Sequence, residues 1–546
     1  MFTLSPQGYF TQDGQTLLPV GVNYWPASVG VEMWPAFPEE EIQQDLDLVK
    51  RLGLDTIRFF LRWQDFEPQA GVYNPKAFAD LRRLLTWSQD RHLLLMPTLF
   101  VGYMSGGTFW PQFVKGKNLF TDPALLQRAT ALAAEVAKVL QGFPDIILAV
   151  DQGNELDCLP ESWAASPAQI AHWSRTIADT VRRHCPGCLV MSGTDHNTVI
   201  NDCPWQLSGN LGLDLLSMHG YPVPAWHPLA FDGLDDPLCQ DLLPQYTRFA
   251  RTFGPVMLQE FGSILTTGPY AQRYLETMLE GCFQAGANGF LWWCLHDVRA
   301  HVHPYIKNGF EATLGLVHAD GTPKSGPDAF LRFARDIAAR PRPNLQAPTT
   351  AVYIPAHYYR RDNPLNPGNQ PNQVGPRAIL AAHMLQRAGH DVRMVRGDLP
   401  LPDNLRHLLL PGVFLTETET MALTRYVQGG GNLYLHGIPA HSLSPALIRL
   451  LGAAPVNYRA PRAVTVQAFG QKFALHAYLE NTLIEMQPTT GVVLARTETQ
   501  LPALLENRLG AGRVRTAIGM VEQNLFTHDV AARDRFLPWY QHLLGE

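Results

Sequence analysis

Eight short apolar runs alternate with amphipathic segments along the first part of the chain, and no other feature narrows the fold as much. The runs are Leu18–Trp25, Thr56–Leu61, Leu93–Phe100, Ile146–Gln152, Leu189–Thr194, Leu215–Tyr221, Val256–Phe261 and Gly289–Trp293. Between them lie helical patterns such as Glu39–Leu52, Lys76–Asp90, Pro123–Leu140, Pro167–His184 and Tyr270–Gly286. Pro123 and Pro167 stand where a first helical turn tolerates proline. Strands joined by helices are parallel strands. Near-continuous apolar runs require both strand faces to be covered, which a closed barrel achieves. The expectation is an α/β chain whose residues 1–340 form a (β/α)8 barrel, with residues 1–17 as a leading hairpin and a last helix near Pro327–Ala339.

A Pro-rich break over 341–350 predicts a linker. A second α/β pattern occupies 351–546. Its strands are Ala351–Pro355, Asp391–Val395, His407–Leu410 and Asn432–His436, with helices at Pro376–Ala388 and Glu417–Val427. That order predicts a smaller doubly wound sheet. A β-rich insertion is expected at about 455–500, and Gly510–Gly519 returns to the sheet.

A net charge of −6 argues against nucleic acid or an anionic membrane as partner. No run approaches the length of a membrane span, and the N-terminus lacks the features of an export signal. The seven cysteines lie between Cys158 and Cys294, an odd count that suits reduced thiols in the cytoplasm. Cys185-Pro-Gly-Cys188 is a lone CxxC without a second ligand pair, and His301 and His303 lack a third ligand at metal spacing, so no metal site is expected. Asp45 and Asp47, on the first amphipathic segment, read as a solvated helix face.

The chemistry concentrates where strands end. Gly153-Asn154-Glu155 follows the fourth run, and Gln259-Glu260-Phe261-Gly262 closes the seventh. A (β/α)8 barrel gathers the C-terminal ends of all strands on one face. Two carboxyl groups facing each other across a sugar are the working parts of a glycosidase. Glu155 is then the general acid/base, whose carboxyl must be held above its usual ~4.3. Glu260 is the nucleophile, kept ionised by Arg58 on the second run. Asn154 is placed to hold a sugar hydroxyl. His219 and Tyr221, at the end of the sixth run, are natural neighbours of Glu260, and Trp293 is placed to floor the sugar site.

These motifs, taken in order, resemble clan A of the glycoside hydrolases over roughly residues 1–340, and family 5 most of all (mannanases, β-mannosidases, cellulases). Gly21-Val-Asn-Tyr-Trp-Pro26 adds to the likeness and brings Tyr24 and Trp25 in as substrate contacts. The resemblance implies net retention, with Glu155 as acid/base and Glu260 as nucleophile, and no cofactor. Residues 351–546 resemble the amidotransferase-like accessory domain of family 42 β-galactosidases. The second domain holds no cysteine and has His436 where an amidotransferase nucleophile would stand. In those enzymes the domain builds a trimer, so a homo-oligomer, trimer or dimer, is expected. The expected function is a retaining β-glycosidase trimming oligosaccharides, with β-mannosidase first. β-Galactosidase, β-glucosidase, an endo-acting mannanase or glucanase, and a non-catalytic sugar-binding barrel are the alternatives.

Overall fold

A computed structural model describes residues 1–299, 303–345, 348–358, 374–412, 414–438, 442–460, 463–477 and 483–545. His301 lies outside the described residues. The chain divides into two compact units. The first comprises Met1–Thr198, Cys203–Val223 and Cys239–Pro343; the second comprises Val199–Asp202, Pro224–Leu238 and Asn344–Glu546.

The first unit is the (β/α)8 barrel. Its eight strands are Val20–Tyr24, Thr56–Arg62, Leu94–Val101, Val150–Gly153, Val190–Met191, Leu216–Gly220, Val256–Phe261 and Ala287–Trp292. They pair in parallel and in chain order, with the first strand bonded to the eighth. The seam between the fifth and sixth strands holds the bridge of Met191 with Leu215, and beside it Asp214 N donates to Val190 O at 2.9 Å and Ser217 Oγ to Thr194 O at 2.7 Å. The fifth strand is the shortest, because Ser192-Gly193-Thr194 leaves the ladder to carry a turn. The helices begin where the prolines announced. Asp122 caps Pro123–Leu140 by accepting from Ala124 N and Leu125 N, and Ser166 forms a capping box with Gln169 ahead of Pro167–His184. Each cap satisfies amides that a helix start otherwise leaves unbonded.

The leading residues form a three-stranded antiparallel sheet, Phe2–Leu4, Phe10–Gln12 and Gln15–Leu17. Phe2 and Phe10 join Met96, Leu148, Ala149, Met191, Leu215, Met257 and Leu291 in one buried cluster. Such a plug keeps the barrel interior dry without a ninth strand. Asp45 departs from the solvated-face expectation: it is buried, accepts from the Tyr24 hydroxyl at 2.9 Å and lies 2.7 Å from His296 Nε2. Its helix presents this residue inward alongside Ile42, Leu46 and Val49, as the 3.6-residue period requires. Asp47 stays on the exposed side and pairs with Arg91. Cys185 and Cys188 also differ from the reduced thiols expected: they are bonded to each other, while Cys158, Cys203, Cys239, Cys282 and Cys294 are free. The Pro-Gly turn brings their Cα atoms to 5.7 Å, within reach of a disulfide.

The second unit is built on a seven-stranded sheet in the order Val392–Arg396, Thr350–Ile354, His407–Pro411, Asn432–His436, Gly512–Ala517, Pro502–Leu509 and Val492–Arg496. The first five strands run parallel, Pro502–Leu509 runs antiparallel to them, and Val492–Arg496, antiparallel to Pro502–Leu509, closes the sheet. Two hairpin-like pairs, Ala453–Arg459 with Leu483–Pro488 and Ala463–Ala468 with Gln471–His476, stand apart from it. Val492–Arg496 therefore extends the main sheet, while the strands before it form separate pairs.

Candidate active site

Register builds the site. In the barrel ladders Asn23 pairs with Arg58, and His219 pairs with Glu260. Side chains on neighbouring strands at the same level and pleat phase face the same way. Arg58 is fully buried and forms the hub. Its Nη1 donates to Glu260 Oε1 at 2.5 Å and to Asn23 Oδ1 at 3.1 Å. Its Nη2 donates to Asp151 Oδ2 at 2.8 Å and to Asn154 Oδ1 at 3.1 Å. Its Nε donates to Thr98 Oγ1 at 2.9 Å and to Asp151 Oδ2 at 3.0 Å. A buried cation with two carboxylate partners and a full set of acceptors is fixed in one rotamer.

Glu260 takes its second hydrogen bond on the other oxygen, from the Tyr221 hydroxyl at 2.8 Å. The carboxylate is thus oriented by donors on both oxygens. Burial, then the charges of Glu260 and Glu155, push the Tyr221 hydroxyl well above its ordinary pKa, so it remains a donor.

Glu155 approaches from the fourth strand. It sits in the left-handed region with φ 46°, uncommon for a residue with a side chain. Its amide donates to Gly193 O at 2.8 Å, and it opens the short 3-10 turn Leu156–Cys158. Gly193 is required there: a Cβ would fall 1.8 Å from Gly153 O and 2.4 Å from Asp151 Oδ1. The unusual φ turns the Glu155 side chain out of strand register, towards His219 and Glu260. Glu155, His219 and Glu260 each offer an atom within 4.8 Å of the others.

Burial is the main cause that raises the Glu155 pKa, and the Glu260 charge adds to it, while the His219 hydrogen bond opposes it. His219 Nδ1 lies 3.0 Å from Glu155 Oε1, and Nε2 lies 3.0 Å from Gln259 Oε1. Gln259 Nε2 donates to Asp151 Oδ2 at 3.1 Å, which leaves its oxygen to accept from the imidazole. With Nε2–H fixed in this way, the Nδ1–Glu155 contact needs one proton of its own. Burial lowers the His219 pKa, but Glu260 and Glu155 outweigh it and hold the ring above its ordinary value. The site stores an acidic proton between Glu155 and His219.

Arg58, Asn154, Glu155, His219, Tyr221 and Glu260 are therefore brought together. Trp293 follows the eighth strand and makes an edge contact with Phe60 at 5.7 Å, while Arg58 lies 4.6 Å over the Phe60 ring. Among the described residues, no side-chain hydrogen bond or ring contact joins Tyr24 or Trp25 to Arg58, Asn154, Glu155, His219, Tyr221 or Glu260. Tyr24 is buried and directed at Asp45, and Trp25 stacks behind Phe60 at 5.2 Å. The sequence reading missed Asn23, Thr98, Asp151 and Gln259, the buried polar layer beneath the carboxylates. A signal for Asp151 existed, since an acid inside an apolar strand needs a partner. Glu155, His219 and Glu260 also have the spacing of metal ligands, as do Asp157, Cys158 and Asp195. In the first set the Arg58 guanidinium already neutralises Glu260.

With this geometry in place, similarity to known proteins becomes informative. The chain is 42% identical to the exo-β-1,4-mannosidase Op5Man5 from Opitutaceae bacterium strain TAV5, covering 99% of this chain and 98% of that one with a TM-score of 0.94. The chain belongs to glycoside hydrolase family 5. It is an O-glycosyl hydrolase. The GH5_18 enzyme from Streptomyces cattleya shares the fold at 22% identity, over 72% of this chain and 98% of that one, with a TM-score of 0.63. A family 42 β-galactosidase from G. stearothermophilus shares it at 14% identity, over 96% of this chain and 88% of that one, with a TM-score of 0.70. Two Arabidopsis thaliana proteins, β-galactosidase 8 and β-galactosidase 11, are 26% and 24% identical over 32% and 34% of this chain. The chain spans about a fifth of those relatives' length, 21% and 22%. No protein-family model matches the chain.

Proposed function

We propose that the protein is an exo-acting β-mannosidase that releases terminal β-linked mannose from oligosaccharides by double displacement. The observation that carries this reading is the pair Glu155 and Glu260, with carboxyl oxygens within 4.8 Å of each other. Retention uses two carboxyl groups ~5–5.5 Å apart, whereas inversion needs ~6.5–9.5 Å to admit a water between sugar and base. Glu155, protonated through its raised pKa, donates to the leaving oxygen as Glu260 attacks the anomeric carbon. Arg58 and Tyr221 keep the Glu260 carboxylate charged and aimed. Glu155, now deprotonated, takes a proton from the water that cleaves the glycosyl-enzyme. Mannose as the sugar rests on the identity to the exo-β-1,4-mannosidase over nearly the whole length. β-Galactosidase is the second reading, favoured by the two plant relatives. A panel of p-nitrophenyl β-glycosides separates them: mannoside turnover at least tenfold above galactoside and glucoside is expected, and the reverse order overturns the mannosidase reading.

A cytoplasmic setting and a homo-oligomer are part of this proposal. Five of the seven cysteines are free thiols, which suits a reducing compartment, while the Cys185–Cys188 disulfide counts against it. For assembly, the second unit exposes Val456 and Tyr458 on one strand and Val492 and Leu494 on the edge strand of its sheet. Exposed apolar edge strands invite pairing with another chain.

A further inference from the structure

Three carboxyl groups, rather than two, share the electrostatics of this site. Glu311 stands in the 3-10 turn Gly309–Thr313, beyond the eighth strand. The turn is fastened on both sides. Ahead of it, Asn308 Nδ2 donates to Ser105 O at 3.1 Å. Gly106 is needed for that approach, because a Cβ there would lie 1.9 Å from the Asn308 amide nitrogen. Behind it, Val298 N donates to Ala312 O at 3.0 Å, and Lys324 Nζ donates to Thr313 O at 2.7 Å. Leu314 O accepts from Trp292 Nε1 and from Cys294 N, both at 3.2 Å. The turn is thereby tied to the residues on either side of Trp293. Tyr103–Met104 and Gly107–Thr108 pair as a small antiparallel hairpin whose turn holds Asn308, and the same hairpin holds Asn154, whose Nδ2 donates to Tyr103 O at 3.2 Å. Asn154 is the neighbour of Glu155, so one rigid frame connects Glu311 to the acid/base strand end and to Trp293.

The Glu311 carboxyl lies beside the Ser105 and Trp293 side chains and within the field of Glu155 and Glu260. None of the groups acting most strongly on it is a cation. Three other enclosed acids of this unit do have one: Asp65 has Arg62, Glu67 has Arg128 and Asp151 has Arg58. Burial is the chief cause that pushes Glu311 up to about 7. Among the described residues no cation acts strongly on the Glu311 carboxyl, and the neutral Ser105 and Trp293 side chains beside it leave acceptor positions open to further hydrogen-bond donors. A pyranose laid on an aromatic ring offers donors around its rim.

We infer that Glu311 is a sugar-binding residue, whose carboxylate accepts hydrogen bonds from hydroxyls of the glycone seated against Trp293 and so selects the terminal sugar. This inference rests on the glycosidase reading above and adds the group that recognises the sugar's non-reacting edge. A site built to bond a hydroxyl discriminates strongly against a substrate lacking it, because the site's own polar group is left unpaired.

The test uses the full-length enzyme, the aryl β-glycoside it turns over fastest, and the 3-, 4- and 6-deoxy analogues of that glycoside. Glu311→Gln and Glu311→Ala are expected to lower kcat/KM on the parent substrate by on the order of 10- to 100-fold. One deoxy analogue should lose a similar factor with the wild type and lose nothing further with either variant. Glu311→Gln preserves the shape of the side chain, so a melting temperature near that of the wild type keeps the comparison valid should Glu311→Ala fail to fold. Variants that discriminate against every deoxy analogue as strongly as the wild type overturn the inference while leaving the glycosidase reading intact. A wild type inactive on all glycosides overturns both.

Discussion

Each unit of the molecule buries a histidine against a glutamate, and the two pairs behave differently. In the second unit, His436 Nδ1 lies 2.6 Å from Glu522 Oε1, and Trp539 Nε1 donates to His436 Nε2 at 3.1 Å. Tyr540 also donates to Glu522 at 2.8 Å. Since Nε2 accepts from the indole, the ring is neutral and its Nδ1–H serves the carboxylate. His436 and Glu522 side chains have 0% exposure. In the barrel, His219 is equally enclosed at 1%, but its partner Glu155 retains 18% exposure. That opening, together with the second carboxylate at Glu260, is what the proposed proton donation from Glu155 requires. A buried His–Glu pair is a structural pin when every face is closed and an acid store when one oxygen meets the cleft.

The sharpest way to break this comparison is Glu260→Ala. It should cut kcat by on the order of 10⁴- to 10⁶-fold. Added azide should then restore turnover with inverted product, detected by NMR of the anomeric proton; restored turnover with retained product would remove Glu260 from its role. Glu155→Ala should cost about 10²- to 10⁴-fold on substrates with poor leaving groups. Dinitrophenyl glycosides, which need little protonation, should suffer much less in the first chemical step. Equal losses on both would mean that Glu155 is not the acid.

Glu522→Ala tests the other pair. Removing Glu522 leaves the buried His436 Nδ1–H and Tyr540 hydroxyl without their acceptor, at about 1–3 kcal/mol for each unsatisfied group, read as a lowered denaturation midpoint. The folded fraction should retain the wild-type kcat, and a lost kcat at unchanged stability would contradict the structural role. The smallest effect concerns pH. The raised Glu155 pKa extends its protonated form upward, so kcat/KM should fall as pH rises through that value. The linked stability has the same sign. A carboxyl raised in the folded state binds more protons than the unfolded chain, so its stabilisation is fully present below the unfolded pKa and lost as pH rises through the folded one. Glu155→Gln should flatten the melting temperature across that window, and an unchanged slope would show that burial is not shifting this group.

The sequence carried the barrel because strand and helix periods are local. Near-continuous apolar runs of strand length and amphipathic stretches with a period of 3.6 are written into consecutive residues. Proline and a preceding Asp or Ser marked Pro123–Leu140 and Pro167–His184 at their first residues. The strand-end glutamates were legible for the same reason, since a parallel barrel sends all such ends to one face. Tyr24 and Trp25 were harder. They share a motif with Asn23, yet only Asn23 meets Arg58, while Tyr24 is directed at Asp45 and Trp25 lies behind Phe60. Alternation sends Tyr24 to the face opposite Asn23, and Trp25 lies beyond the strand's end at Tyr24, where the period of two no longer fixes its direction.

By itself, then, the amino-acid order determined two α/β units, the strand ends that bear the reacting groups, and the absence of cysteine from the second unit. Tertiary structure alone decided the rest. It set the Glu155–Glu260 approach, the six-fold ligation of Arg58, the shared proton on His219, and the arrival of Glu311 beside Trp293. These depend on register between strands far apart in the chain and on one backbone turn at Glu155 with φ 46°. Distances and pKa values come from burial and from neighbours brought in by folding, and neither is encoded in a residue's immediate sequence.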